Sequence, residues 1–407
     1  GLMGALGAAL YAKEHRPARS SLMSAAELES FGYRSRAVNC QGCTARCLLT
    51  VLSFTDGRKL ISGNRCERGG GGEAKALPDL YEWKNRRLRE LRQPPGEKIR
   101  VGIPMVLNFY EQLPLWNAFF EDLGMTTVLS PPSSRELYAR GQHTIPSDTV
   151  CYPAKLVHGH VLSLMPEVDF LFYPCESYNL DEGKTANHYN CPVVAYYPEL
   201  LKANVEGLAD KLVAPYLDLN RPAHVARRMA ECLKKYGVTK KEAERALKKG
   251  FQALEDYHAA LRAEGQRMIA EARARDLPII VLLGRPYHPD PEINHAIDKL
   301  INSLGAAVLS EDAVFTLADP PDLKVLNQWT YHARMYRAAA FAATQPDMEV
   351  GQLGSFGCGI DAITSDEIRS VMEGAGRLYT QLKIDEVSNL GAARIRLRSL
   401  LAAVGRG

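Results

Sequence analysis

Eight of the nine cysteines in this 407-residue chain fall into two groups whose settings suit metal better than disulfide. The first is C-x2-C-x3-C-x18-C, made by Cys40, Cys43, Cys47 and Cys66. Four thiolates at that spacing suit tetrahedral zinc, and they suit an iron–sulfur cluster equally well. The second group is scattered, as Cys151, Cys175, Cys191 and Cys358, each within two residues of Pro or Gly. Cys232, in Met229-Ala-Glu-Cys-Leu, has the setting of an ordinary buried helix residue.

The scattered group draws its interest from the elements around it. Cys151 precedes a helix expected over 152–164, with Ser147 and Asp148 offered as caps. A thiolate at a helix N-terminus is stabilised by unpaired amides and by the dipole. Cys175 follows a strand expected over 169–173, and Cys358 follows one over 348–353 in a Gly-rich turn. If those strands are parallel, all three thiols lie at the carboxyl end of a sheet and face a common cleft. Cys191 precedes the β-prone run Val193–Tyr197, which read as a strand puts it at the opposite edge. Three cysteines around a cleft hold a cluster with one iron left open for a substrate or a sulfide bridge. The competing reading makes them small buried thiols, a common fate of Cys.

Positioning falls to the alternation of elements. After Cys47, two short β-prone runs flank Asp56-Gly57, and a hairpin there returns Cys66 to the side of Cys47. Strands expected over 100–103, 126–129, 169–173 and 193–197 alternate with helices over 115–123 and 152–164, which implies a parallel sheet. A second such run has strands over 278–284, 306–309, 348–353 and 378–384. Between them, Leu247, Leu254, Leu261 and Met268 recur every seven residues, the mark of a helix packed along one face. Residues 81–92 read as a charged helical linker. The predicted fold is therefore α/β, with two Rossmann-like parallel-sheet units joined by helices and a small N-terminal cysteine-rich β-hairpin knuckle. The expected divisions are 1–35 (tail of an upstream domain plus linker), 36–75 (knuckle), 98–221, 222–276 (helical connector) and 277–407.

Composition excludes several classes. Lys plus Arg, 50, against Asp plus Glu, 47, leaves +3, which gives no electrostatic case for nucleic acid or an anionic membrane. The longest apolar stretch, residues 1–12, is too short to span a bilayer and lacks a basic leader and a cleavage site. A cytoplasmic location is expected, where cysteines are thiols or metal ligands. No G-x-G-x-x-G opens a helix after a strand, and there is no P-loop. Gly284-Arg-Pro-Tyr-His288 ends a strand and offers an anion or proton site, although His288 reads equally as a turn residue. His158, His160 and Trp329-Thr-Tyr-His332 read as packing and cap residues.

Several long motifs are recognisable. Cys40-Gln-Gly-Cys43, Ser62-Gly-Asn-Arg-Cys66-Glu-Arg-Gly, Val101-Gly-Ile-Pro104, Asp148-Thr-Val-Cys151-Tyr-Pro-Ala-Lys155, Gly284-Arg-Pro-Tyr-His288, Gln328-Trp-Thr-Tyr-His332 and Leu382-Lys-Ile-Asp-Glu386 resemble the acyl-CoA dehydratase activase-related proteins, from about residue 36 onward. The opening Gly4-Ala-Leu-Gly-Ala-Ala is similar to the tail of the ATPase domain of 2-hydroxyacyl-CoA dehydratase activators, so this chain is expected to be a piece of a longer polypeptide. The resemblance implies an anaerobic, ATP-driven system. An activase, upstream in the same polypeptide, pushes a low-potential electron onto a partner carrying an iron–sulfur cluster of the 4Fe-4S kind, within a dehydratase- or reductase-type enzyme. Cys151, Cys175 and Cys358 stand where such ligands are expected, with Cys191 as a further candidate; Cys40, Cys43, Cys47 and Cys66 form a separate metal group. The alternative is a non-redox zinc-binding α/β module that docks the activase or an acyl-CoA.

Overall fold

The computed structural model describes residues 2–15, 23–42, 45–64, 67–70, 76–91, 99–355, 357–387 and 390–403. Its described residues form a mixed α/β structure with two four-stranded parallel sheets, a two-stranded parallel pair and a separate antiparallel ribbon.

Helices α1 (Leu2–Glu14) and α2 (Ala25–Ser30) bury no residue. They lead into β1 (Tyr33–Asn39), β2 (Leu48–Phe54) and β3 (Lys59–Ser62), which pair antiparallel in that order. The expected hairpin at Asp56-Gly57 is β2–β3; Gly57, at φ +84°, takes the left-handed turn position that favours glycine. Strand β1 was not anticipated, because Arg34, Ser35 and Arg36 carry little apolar signal. Cys40 and Cys47 face each other past the last β1–β2 pair, with the Cys40 amide donating to the Cys47 carbonyl at 2.9 Å. Cys43 and Cys66, the other two thiols of the expected knuckle, lie outside the described residues.

Helix α3 (Leu80–Arg89) is more than the charged linker its composition suggests. It buries Leu80, Tyr81, Lys84, Asn85 and Leu88. Its partner is the C-terminal unit: Tyr81 donates to the Leu282 carbonyl at 2.8 Å, Asn85 donates to that of Pro289 at 2.8 Å, and Lys299 pairs with Asp79 at 2.6 Å.

The first unit has β4 (Arg100–Ile103), β5 (Thr126–Leu129), β6 (Phe170–Phe172), β7 (Cys175–Tyr178), β8 (Leu212–Val213) and β9 (Tyr216–Asp218). The sheet order is β5-β4-β6-β8, all parallel, and β7 and β9 form a parallel pair just beyond β6 and β8. Helices α4 (Phe109–Asp122), α5 (Arg135–Gly141), α6 (Tyr152–Leu164) and α7 (Pro192–Asn204) connect them. One expectation fails here: Val193–Tyr197 is the start of α7, and the fourth strand is the two-residue β8. Pro192 at the first helical position has φ already set and no amide to lose there, which overrides the β-propensity of the residues after it.

Helices α8 (Pro222–Cys232) and α9 (Lys240–Ala274) follow. Leu247, Leu254, Leu261 and Met268 are buried as the seven-residue spacing predicts. His258, between Leu254 and Leu261, has a polar role: its Nε2 reaches Glu111 of α4 at 3.0 Å.

The second unit repeats the winding with β10 (Ile279–Leu283), β11 (Ala307–Ser310), β12 (Met348–Gly354) and β13 (Tyr379–Lys383), in the parallel order β11-β10-β12-β13. Its helices are α10 (Ile297–Ser303), α11 (Thr330–Ala343), α12 (Gly359–Gly374) and α13 (Leu390–Ala403). Arg334 of α11, 5% exposed, reaches across to Glu111 and Glu182 of the first unit, each at 2.7 Å. A buried cation between two carboxylates fixes the units to each other, since leaving either charge unpaired is costly.

Candidate functional site

Three helices leave the carboxyl edges of the two sheets, and each opens on a cysteine. Cys151 is the N-cap of α6, Cys191 of α7 and Cys358 of α12. Topology is the common cause. Helix α6 leads to β6, α7 to β8 and α12 to β13, and a crossover between parallel strands must begin at the edge where the strands end. Pro153 and Pro192 occupy first-turn positions where a missing amide is harmless. Helix α6 is held by close packing on α5: a Cβ on Gly159 would overlap the Leu137 carbonyl. Ser147 and Asp148, offered as caps, are not the cap; Ser147 instead bonds Thr149, at 2.8 Å between hydroxyl oxygens.

The three thiols converge. Cys151 lies within electrostatic reach of Cys191 and Cys358, and Cys191 within that of Cys358. The loops touch as well, because a Cβ on Gly357 would stand 3.6 Å from the Thr149 carbonyl oxygen. Burial pushes the Cys151 thiol up to about 11, against the pull of the Ala154 amide and Arg285. Burial also raises Cys191, opposed by the Val194 amide, Arg285 and the Val193 amide.

Arg285, in the loop after β10, supplies the buried positive charge. Its Nη1 donates to Cys358 Sγ at 3.6 Å and its Nη2 to Asp361, in the first turn of α12. Asp361 also accepts the Ser355 amide at 2.8 Å and faces His332 Nε2 at 3.6 Å. Burial works against the Asp361 charge, yet Arg285 and His332 hold its carboxyl well below the usual range. His288 accepts the Arg285 amide at 2.8 Å on Nδ1, and burial keeps its ring neutral. The buried atoms without a hydrogen-bond partner include Arg285 Nε, Asp361 Oδ1 and both ring nitrogens of His332. A small cavity of about 20 Å³ runs past Cys151, Tyr152, Arg285, Tyr287, Ser355 and Asp385.

The sequence paired Cys175 with Cys151 and Cys358, whereas the structure brings Cys191 to them. Cys175 opens β7, is 1% exposed, and lies among Glu199, Lys202 and Tyr216; burial pushes its thiol up to about 11. Cys40 and Cys47 lie on the ribbon, and none of the seven described cysteines is in a disulfide. Among the described residues, no group of three or more His, Cys, Asp or Glu side chains closes tightly enough to hold a single metal ion. His332, read as a packing residue, is buried against Asp361. His160 is a true packing residue, held between Ser130 at 2.6 Å and Ser133 at 2.9 Å. Asp361 escaped sequence reasoning, whereas Arg285 lies in the run Gly284-Arg-Pro-Tyr-His288, which the sequence offered as an anion or proton site.

Fold and site together define a two-unit parallel α/β protein with a thiol-lined seam between its units. Residues 100–314, more than half of the 407-residue chain, match the family model described as CoA enzyme activase uncharacterised domain. The chain belongs to this family, consistent with an acyl-CoA dehydratase activase-related protein. The matched span includes Cys151, Cys175, Cys191 and Arg285 and stops short of Cys358. No curated protein matches the chain. Among the described residues, no helix is long and apolar enough to cross a membrane.

Proposed function

We propose that this chain is the iron–sulfur redox component of an ATP-driven, low-potential electron-transfer system of the 2-hydroxyacyl-CoA dehydratase activase type, with Cys151, Cys191 and Cys358 as the cluster ligands. The observation that carries this reading is the meeting of three helix-capping thiols, drawn from both Rossmann-like units, beside one buried arginine. The donor set fits the group. Thiolate sulfur is its usual ligand, and a cluster spreads its ligands wider than a single ion does. Three helix N-termini and Arg285 favour the negative charge that thiolate ligation brings. Raised thiol pKa values fit as well, because metal binding drives off protons that burial otherwise retains.

When bound, the group supplies one-electron storage at low potential. The chain's own residues do the rest. The three cysteines hold the group, and Arg285 balances its charge. Three thiols would leave the group open to a further ligand, and an acyl-CoA substrate is part of this proposal. An ATP-hydrolysing activase is the electron donor, and the cytoplasm is the compartment. The ribbon thiols Cys40, Cys43, Cys47 and Cys66 form a separate centre, with zinc or iron–sulfur as its content.

Iron, zinc and acid-labile sulfide analysis of anaerobically purified protein tests this directly. Brown protein with iron and sulfide is expected, with loss of that iron in C151S, C191S or C358S. Colourless protein containing zinc alone sinks the redox reading and favours a zinc-bearing module that docks the activase or an acyl-CoA.

A further inference from the structure

We infer that Arg285 sets the electron affinity of the group held by Cys151, Cys191 and Cys358, and that Asp361 sets how strongly it does so. This rests on the cluster reading above. Arg285 Nη1 donates to Cys358 Sγ at 3.6 Å, and the same guanidinium acts electrostatically on Cys151 and Cys191. Its side chain is 8% exposed, so solvent screens it little. Its other fork nitrogen is tied to Asp361, which is fixed in turn by the Ser355 amide. The cation is thereby aimed and partly neutralised by one carboxylate. With Nε unpartnered, no second carboxylate spends its charge through that atom.

One electron from a low-potential one-electron reductant adds one negative charge at the thiols; no bond is made or broken and no proton is required. A fixed cation favours that addition, and a carboxylate behind it opposes it. Neighbouring opposite charges at such separations shift proton equilibria by roughly 10- to 1,000-fold. Electron addition obeys the same Coulomb law, so a change of at least about tenfold in the reduction equilibrium is expected, 59 mV for one electron.

The test is a redox titration of the full chain with titanium(III) citrate, followed by EPR, with iron and sulfide measured on every sample. R285Q is expected to lower the midpoint, D361N to raise it, and the double variant to lie between R285Q and D361N. R285K keeps the charge without the two-pronged fork and is expected to recover most of the R285Q loss. K202Q, which removes a charge beside Cys175 instead, is expected to leave the midpoint unchanged. A midpoint unmoved in R285Q at full iron content overturns this inference while the proposed function stands. If R285Q fails to fold, a D361N midpoint equal to wild type overturns it alone. Wild-type protein without iron and sulfide overturns both.

Discussion

The ribbon and the seam between the units carry cysteines in opposite ways. On the ribbon, Cys40 and Cys47 are set by a local turn between β1 and β2, on a sheet whose described residues are mostly exposed. At the seam, Cys151, Cys191 and Cys358 are set by two packed sheets and by loops more than two hundred residues apart in the chain. The first kind of site survives if the rest of the molecule is loosened. The second exists only while both sheets are packed, and in return its half-buried thiols sit beside a buried arginine whose charge Asp361 balances.

The comparison can be broken hardest at the seam thiols themselves. C151S, C191S or C358S is expected to remove all iron assigned to the seam, while C175S retains it; C40S and C47S leave it in place and release the ribbon metal instead. Metal and sulfide analysis reads all of these. Next comes the tie between the units. R334M leaves Glu111 and Glu182 without their shared cation and is expected to destabilise the protein by about 3–5 kcal/mol in guanidinium unfolding. It should release seam iron at lower denaturant than wild type and leave ribbon metal unaffected. G159A forces α6 off the Leu137 carbonyl and is expected to cost about 1–3 kcal/mol while weakening seam loading.

The smallest effect concerns pH. Burial pushes Glu176 up to about 7, against the hydrogen bonds from Gln112 and Asn108. Its folded-state pKa is above the unfolded value, so its contribution is complete below about 4.5 and is lost as pH rises through about 7. E176Q is expected to flatten the decline in melting temperature across that window, with no change in ribbon or seam metal content. Parallel melting curves for the two proteins would count against it.

Most strands were legible because β4, β5, β6, β10, β11, β12 and β13 are short apolar runs bounded by turns or helices. What failed is instructive at Cys191. Val193-Val-Ala-Tyr-Tyr197 has the residue types of a strand, yet Pro192 and the packing of α7 make it helix, and that single change moves Cys191 from the wrong edge to the seam. Cys175 was misleading for the complementary reason. It does follow β6, but the chain continues directly into β7, and the thiol lies on α7. The better signal was a cysteine one or two positions ahead of a proline, a pattern of helix starts that Cys151 and Cys191 share. Arg285 and Asp361 could not be paired from sequence, since their contact depends on α12 starting beside β10.

The docking of α3 onto the C-terminal sheet has a consequence for biosynthesis. That sheet's unit is built from two separated stretches, one made before the first unit and one after it. On the ribosome, α3 can stack Trp83 on Tyr257 of α9 once the middle stretch is made, while its hydrogen bonds to the C-terminal unit wait until β10 and the loop after it emerge. Cys358 is made later still, so the seam closes only after strands of both units have been made. Any inserted cofactor therefore meets a site whose two units have both been made, and an assembly factor that delivers it has to recognise folded surface of both.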